Sequence, residues 1–474
     1  MTDSAWGEMS AIKLEAPRAL FSSVELRILI TVCLTHNCIG YAMGAISPAM
    51  EPATSDLKLT DGWRGALGAA ALAGNMVGSP MGGWVADAYG RRRCIMSAWT
   101  ALILGSVLQA LSPEVLSLCL ARAAVGWAVG AHYAAITTYL SESLNPEYIG
   151  RLLSFTEFNF FTGNFMAIAV GALLNAQLNS DSLKWRTTLF LSAIPTLFTL
   201  SYFAYCLPES QPWLDAKNKV SRVHDLEANP GIKICNPTTQ ICNPLVCSRT
   251  GHCAVQQDSM PQNAQEGQCA VPEQHGSSPS SSEGMSTGKS IVFVSSFWGS
   301  LVVPTYAVSA FAVAIISELG LAMDAFTLNT FLAAAVASGV ALGIPLVDFV
   351  GRKPLLLLSQ WGVAGAFCAM AFLQPLVAGG DRPVAKLALI TAFVAFEVLN
   401  GCGAPLALVY PAEIFRPEVK GLASGISAMN SRIMAISVIM TMSALLSSVG
   451  IASILLGLGI FSAIGALLTH AMAP

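Results

Sequence analysis

The chain has 474 residues, 54% of them hydrophobic and only 11% charged, with a formal net charge of -3 and a mean hydropathy of +0.60. One water-soluble core cannot hide that much apolar surface, so lipid is the solvent for much of the chain. The small net charge excludes nucleic acid as a partner. The polar opening, MTDSAWGEMSAIKLEAPRAL, lacks the basic start and early apolar run of a cleavable signal peptide, so the first spanning helix is expected to act as an uncleaved anchor.

Apolar runs of about 20 residues, the length that crosses a bilayer, predict six helices before the middle of the chain, over 25–47, 62–86, 94–111, 115–140, 152–178 and 185–206. From 207 to 289 the chain is polar and rich in Pro, Ser, Gln and Asn. Such a composition cannot bury enough apolar area to order itself, and it reads as a cytoplasmic linker. Six more helices are predicted over 290–318, 325–347, 354–377, 384–410, 422–448 and 450–472, the last two separated by little more than Gly450. The expected fold class is all-α, twelve transmembrane helices in two six-helix bundles, divided as 1–206, 207–289 and 290–474.

Lysine and arginine near helix ends resist translocation. With both termini inside, the inner turns carry Arg91, Arg92, Arg93, Arg151, Arg352, Lys353, Arg416 and Lys420, and the outer turns only Lys58, Arg64, Lys184, Arg186, Arg382 and Lys386. Cytoplasmic termini are expected.

Two of those inner turns share a pattern. ADAYGRRR, at 86–93, and VDFVGRKP, at 347–354, both contain Asp-x-x-Gly-Arg-(Arg/Lys), from Asp87 and from Asp348. A second pattern, Glu-x-x-x-Pro-Glu-x-x-Gly, follows the fourth helix of each half, from Glu142 and from Glu413. The chain is therefore a duplication, and with these motifs it resembles the major facilitator superfamily over nearly its whole length. The resemblance implies transport, with the solute held between halves that rock to expose it alternately. Gly90 and Gly351 permit tight turns. The resemblance further implies a cytoplasmic latch of Asp87, Arg91, Arg92, Glu142, Arg151, Asp348, Arg352, Glu413 and Lys420, weak enough pair by pair to open; the alternative is that these charges only set topology.

LPESQPWL, at 207–214, and Arg122 ahead of Gly126 and Gly130 are similar to the sugar-porter side of the superfamily. Departures point away from a hexose: Ala42 stands where proton-coupled sugar porters carry Asp, the seventh helix lacks their Gln-Leu-Ser, and Ile149 replaces an arginine, with Lys420 basic in the second half. WRTTLFLSAIPTL, YPAEIFRPEVKG and MNSRIMAI, from Trp185, Tyr410 and Met429, resemble the related organic-ion, niacin and synaptic-vesicle-type branch. There Arg432 matches a cation of anion-handling members, which implies an anionic substrate such as a monocarboxylate.

Arg432 lies 12 residues past Lys420, roughly 18 Å into the bilayer, where a charge needs a partner or a wet cavity. It is read as receiving a carboxylate in a two-pronged geometry, or else as a structural partner of Glu397. Arg122 binds substrate or finds backbone oxygens. His132 and His36 are candidate proton shuttles, or packing residues. Trp298, in the seventh helix, completes the candidate substrate-binding set. Glu157, six residues past Arg151, is expected near the inner interface in solvent, leaving Glu397 as the better proton-coupling candidate.

Cys235, Cys242, Cys247, Cys253 and Cys269, with His252, fall in the middle segment, but no Cys-x-x-Cys occurs and the number is odd. A solvated linker fits better than a zinc site. No metal, cofactor or enzymatic activity is expected, since the helices carry no His-Glu-x-x-His or comparable set. The expected partners are a small solute, protons as a candidate co-substrate, and the lipid bilayer, with the chain acting as a monomer in the plasma membrane or an organelle membrane. Sugar or polyol transport is the alternative to an organic anion, and ligand binding without flux is a further one.

Overall fold

The structure, a computed structural model, describes residues 23–145, 148–218, 233–234, 241–242, 286–318, 325–378, 382–416 and 419–473. The first half comprises α1 (Ser23–Gly44), α2 (Ile46–Leu57), α3 (Asp61–Tyr89), α4 (Arg91–Leu111), α5 (Val115–Ser143), α6 (Ile149–Gln177), α7 (Asp181–Phe190) and α8 (Ala193–Cys206). After a short helix α9 (211–218), the second half comprises α10 (Thr287–Glu318), α11 (Ala325–Phe349), α12 (Arg352–Ala378), α13 (Pro383–Gly403), α14 (Leu406–Ile414), α15 (Lys420–Val449) and α16 (Ile451–Met472).

Three expected spans are each made of two helices: α1 with α2, α7 with α8, and α13 with α14. A proline at or just downstream of each interruption, at 48, 195 and 405, withholds the amide that a carbonyl four residues back would need. Among the described residues, eleven spans are long and apolar enough to cross a membrane. The twelfth, α3, matches them in length but has seven glycines among its 29 residues, which lowers its hydropathy without shortening it. The chain is thus an integral, multi-pass membrane protein. Outward-facing Leu104, Leu108, Leu120, Phe198, Phe372 and Leu387 are exposed, as a lipid-facing surface requires.

Close helix pairs hold each half together. Without a hydrophobic drive between helices in lipid, small residues that let backbones approach do the work. On α3, a side chain at Gly74 or Gly78 would run into the α5 backbone at Ala123 or Trp127, and one at Gly126 of α5 would meet Ala71. The second half repeats the device: Gly339 of α11 faces Val398 of α13, and Gly401 of α13 faces Val336. The duplication seen in the motifs is therefore also a duplication of packing.

The helices of both halves form one compact unit, ending at Ser210 and resuming at Thr287; 211–286 form a second unit. In that second unit β1 (Lys233–Ile234) pairs antiparallel with β2 (Ile241–Cys242). Cys235, Cys247, Cys253, Cys269 and His252 lie outside the described residues, as does most of the proposed linker. Among the described residues no group of three or more His, Cys, Asp or Glu could hold a metal.

Candidate functional site

The repeated turns meet at one end of the unit. Gly90 and Gly351 have φ of +110° and +93°, a backbone region open to glycine and strained for other residues. That turn sends Arg91 back across its own half. Its guanidinium donates to both carboxylate oxygens of Glu142, at 3.1 and 3.0 Å, and lies 3.3 Å from Asp87. The second half repeats the triad: Arg352 is 3.3 Å from Asp348 and 3.0 Å from Glu413. Both triads lie within their own halves.

Other contacts cross between halves. Asp87 accepts the Leu422 amide hydrogen at 2.9 Å, a free N–H of the first turn of α15, where a carboxylate also meets the positive end of the helix. In the same way Asp348 stands at the start of α6, close to Gly150 and ion-paired with Arg151. Each half's motif aspartate therefore reaches the N-terminus of the other half's helix. Lys420 adds a third crossing, donating to Ser141 at 3.2 Å, and is braced within its own half by the Ala412 carbonyl at 2.7 Å. Gly83 and Gly425 bring α3 and α15 into backbone contact along the same seam. Arg92 does not cross: it donates to the Leu207 and Ala204 carbonyls, tying α4 to the end of α8.

Just inside this closed end, residues of both halves surround a small cavity: Tyr133 and Thr137 of α5, Trp298 of α10, Pro411 of α14, and Ser424 and Ala428 of α15. It has room for about one water molecule.

One helical turn beyond Ala428 stands Arg432. No ion pair joins it to Glu397, so that expected pairing is not formed; Glu397 is 4% exposed on α13, with its Oε2 lacking a hydrogen-bond partner. Glu157 is placed contrary to the expectation that it lies in solvent: it is buried and accepts a hydrogen bond from the Tyr133 hydroxyl at 3.4 Å. Six residues carry α6 about 9 Å from Arg151, far enough to leave the interface. Sequence reasoning misses Tyr133, although Tyr133 and Thr137, four apart in α5, lie on one face of the helix.

The other candidates are spread through the first half. Arg122, 1% exposed, donates to the Ala42 and Met43 carbonyls at 2.6 and 2.8 Å, so backbone oxygens occupy the place of the missing first-helix acid. His132 is fully buried and away from the cavity. Its Nδ1 accepts the Trp99 indole N–H at 2.8 Å, and its ring lies 5.0 Å from that of His36. An indole can only donate, so this contact fixes His132 as neutral, with its hydrogen on Nε2.

Comparison with known proteins identifies the family. "Sugar (and other) transporter" matches residues 37–473. The chain belongs to this family. Among its relatives in Bacillus subtilis, YncC, ascribed to metabolite transport, is 27% identical over 433 residues, covering 90% of this chain and 86% of that one. IolT, the major myo-inositol transporter of the same organism, is 24% identical over 448 residues, covering 92% and 89%. Among solved structures, the proton:xylose symporter XylE of Escherichia coli, bound to 6-bromo-6-deoxy-D-glucose, superposes with a TM-score of 0.73 at 18% identity, covering 95% and 96%. Its inward-open form gives 0.63. The fold is that of the major facilitator superfamily, in its sugar-porter branch, and the family is one of transporters.

Proposed function

We propose that this protein carries a small, neutral, polyhydroxylated solute, a polyol or a sugar, across the membrane by alternating access. The observation that carries this reading is the cavity where the two halves meet, whose lining side chains carry no charge. The residues around it that bear polar groups are Tyr133, Thr137, Trp298 and Ser424, with neutral hydroxyls and an indole. Hydroxyls and an aromatic face suit a solute that offers donors, acceptors and C–H surface together. The second half adds neutral amide–hydroxyl pairs, Asn400 with Thr305 and Gln360 with Ser300, each at 2.7 Å. The names of IolT and XylE point the same way.

An organic anion at Arg432 is the second reading, favoured by one observation: its Nε has no hydrogen-bond partner. On this reading the likeness of the eleventh helix to the organic-ion branch carries function as well as sequence. We take the excess of lysine and arginine around the motif turns to support a cytoplasmic position for those turns and for both termini. On that orientation, the conformation described above is closed to the cytoplasm.

Counterflow in proteoliposomes tests the substrate class, with labelled myo-inositol, xylose and an aromatic monocarboxylate as probes. Saturable exchange of inositol or xylose is expected, and it survives Arg432→Gln. Saturable carboxylate exchange that Arg432→Gln abolishes overturns the polyol reading in favour of the anion.

A further inference from the structure

We propose that Arg93 binds the headgroup of an anionic phospholipid in the leaflet at the motif end, with Tyr205 beside it. The inference does not depend on which solute is carried. Three arginines in a row open α4, and the first two are occupied within the protein: Arg91 donates to Glu142, and Arg92 to the carbonyls of Ala204 and Leu207. Arg93 is exposed and has no hydrogen-bond or ion-pair partner among the described residues. Setting topology asks only for charge at the turn. It does not ask for the direction that Arg93 takes.

That direction is fixed by the helix. The exposed positions of α4 are 93, 97, 100, 104, 108 and 111, three or four apart, so Arg93 lies on one face with the outward-facing Leu104, Leu108 and Leu111. α8 packs beside α4, with the Phe203 and Trp99 ring centroids 4.8 Å apart, and it turns Leu197, Phe198 and Tyr202 outward. Its last exposed residue is Tyr205, 92% exposed. Arg92 grips carbonyls on either side of Tyr205, so Arg93, the next residue, stands at the same depth. On α3, the exposed rings of Trp84 and Tyr89 meet edge to face, 5.8 Å apart. A cation among aromatic residues, at the end of a lipid-facing stripe, marks the level of the headgroups.

The second half serves as an internal comparison. Gly351, Arg352, Lys353 and Pro354 stand in its motif where Gly90, Arg91, Arg92 and Arg93 stand in the first. Arg352 braces Glu413, and Lys353 donates to the Ala473 carbonyl at the end of α16, at 2.7 Å, as Arg92 does at the end of α8. Bracing a half thus takes two cations. The third position holds an exposed proline in the second half, so the outward arginine belongs to the first half alone. No carboxylate is left over to neutralise it: Arg91 engages Glu142 and Asp87, and Glu209 accepts the amide hydrogens of Arg92 and Ser210. A guanidinium grips a phosphodiester in two-pronged fashion, and a tyrosine hydroxyl can donate to the same group. The positive rim favours a headgroup with net negative charge over one that also carries an amine.

Native mass spectrometry of the detergent-solubilised protein tests the assignment, by titration with phosphatidylglycerol, which has a net charge, and with phosphatidylcholine, which has none. The first phosphatidylglycerol is expected to bind about fivefold more weakly to Arg93→Gln than to the native chain, with phosphatidylcholine binding alike to both. Arg93→Lys keeps most of the preference, and Arg416→Gln, which removes another exposed cation of the motif end, keeps all of it. Glycerol phosphate, which lacks the chains, does not displace the lipid. Unchanged phosphatidylglycerol binding in Arg93→Gln overturns the proposal and leaves Arg93 as a topology signal. An equal loss in Arg416→Gln overturns it by showing diffuse attraction, and displacement by glycerol phosphate by showing a site for soluble anions. A maleimide checks that the variant keeps its closed end: a thiol placed in the cavity by Ser424→Cys, with the chain lacking that substitution as baseline, labels at the same rate at each pH with and without Arg93→Gln. Faster labelling in Arg93→Gln makes Arg93 part of the closure and overturns its assignment to lipid.

Discussion

Single side chains at the motif end work in two ways that the sequence pattern does not distinguish. Arg91 and Arg352 brace their own halves, whereas Asp87, Asp348, Arg151 and Lys420 reach the other half. Asp348 serves both arginines at once, so Asp348→Asn loosens the crossing most directly. Arg151 is about half exposed, and a pair of that kind contributes only ~1 kcal/mol. Labelling of the Ser424→Cys thiol should therefore rise by about fivefold in this variant, while thermal stability stays close to that of the native chain. His132→Leu behaves oppositely. It leaves the Trp99 N–H unpaired in a dry interior, at a cost of about 1–3 kcal/mol, so the melting temperature in detergent falls while the pH profile of labelling is unchanged. A changed profile with unchanged melting would make the histidine a proton carrier instead of a packing residue.

Along helices, glycines separate contacts that are permanent from contacts that must break. On α3, Gly74 packs against α5 of the same half, while Gly83 packs against Gly421 at the start of α15 in the other half. On the alternating-access proposal, the α3–α5 contact must persist through rocking, and the α3–α15 contact must break when the motif end opens. Gly74→Val thus wedges apart a pair that cannot separate; the overpacking costs on the order of 1–3 kcal/mol or more, and the yield of monodisperse protein should fall. Gly83→Val finds relief by opening. It should purify normally, yet label rapidly at Ser424→Cys and exchange solute slowly. Equal loss of folded protein in both variants would show that the seam does not open there.

Across the whole molecule, topology and state come from different sources. The excess of lysine and arginine at the motif turns predicts that a reporter fused to either terminus is active only in the cytoplasm; an active C-terminal reporter on the opposite side would invert every assignment of the closed face. Twelve spans, a duplication and a transporter family are legible in the chain because hydropathy, charge bias and a repeated Asp-x-x-Gly-Arg follow directly from lipid solvation and tight turns, local constraints that each segment meets by itself. Spans interrupted near Pro48, Pro195 and Pro405 are less legible, since a proline weakens a helix but neighbours decide whether it breaks: α10 runs through Pro304 unbroken. Pairing is the least legible. The sequence offers Arg432 either Glu397 or an anion and sets Glu157 in solvent, because distance along one helix says nothing about which residue a second half brings opposite it. The amino-acid order thus settles what kind of protein this is, through forces acting within each segment. Only the packing of α6 against α11 and of α3 against α15 decides which charges meet, because an electrostatic partner is fixed by distance in space, and in a duplicated fold that distance is set by how the two halves close.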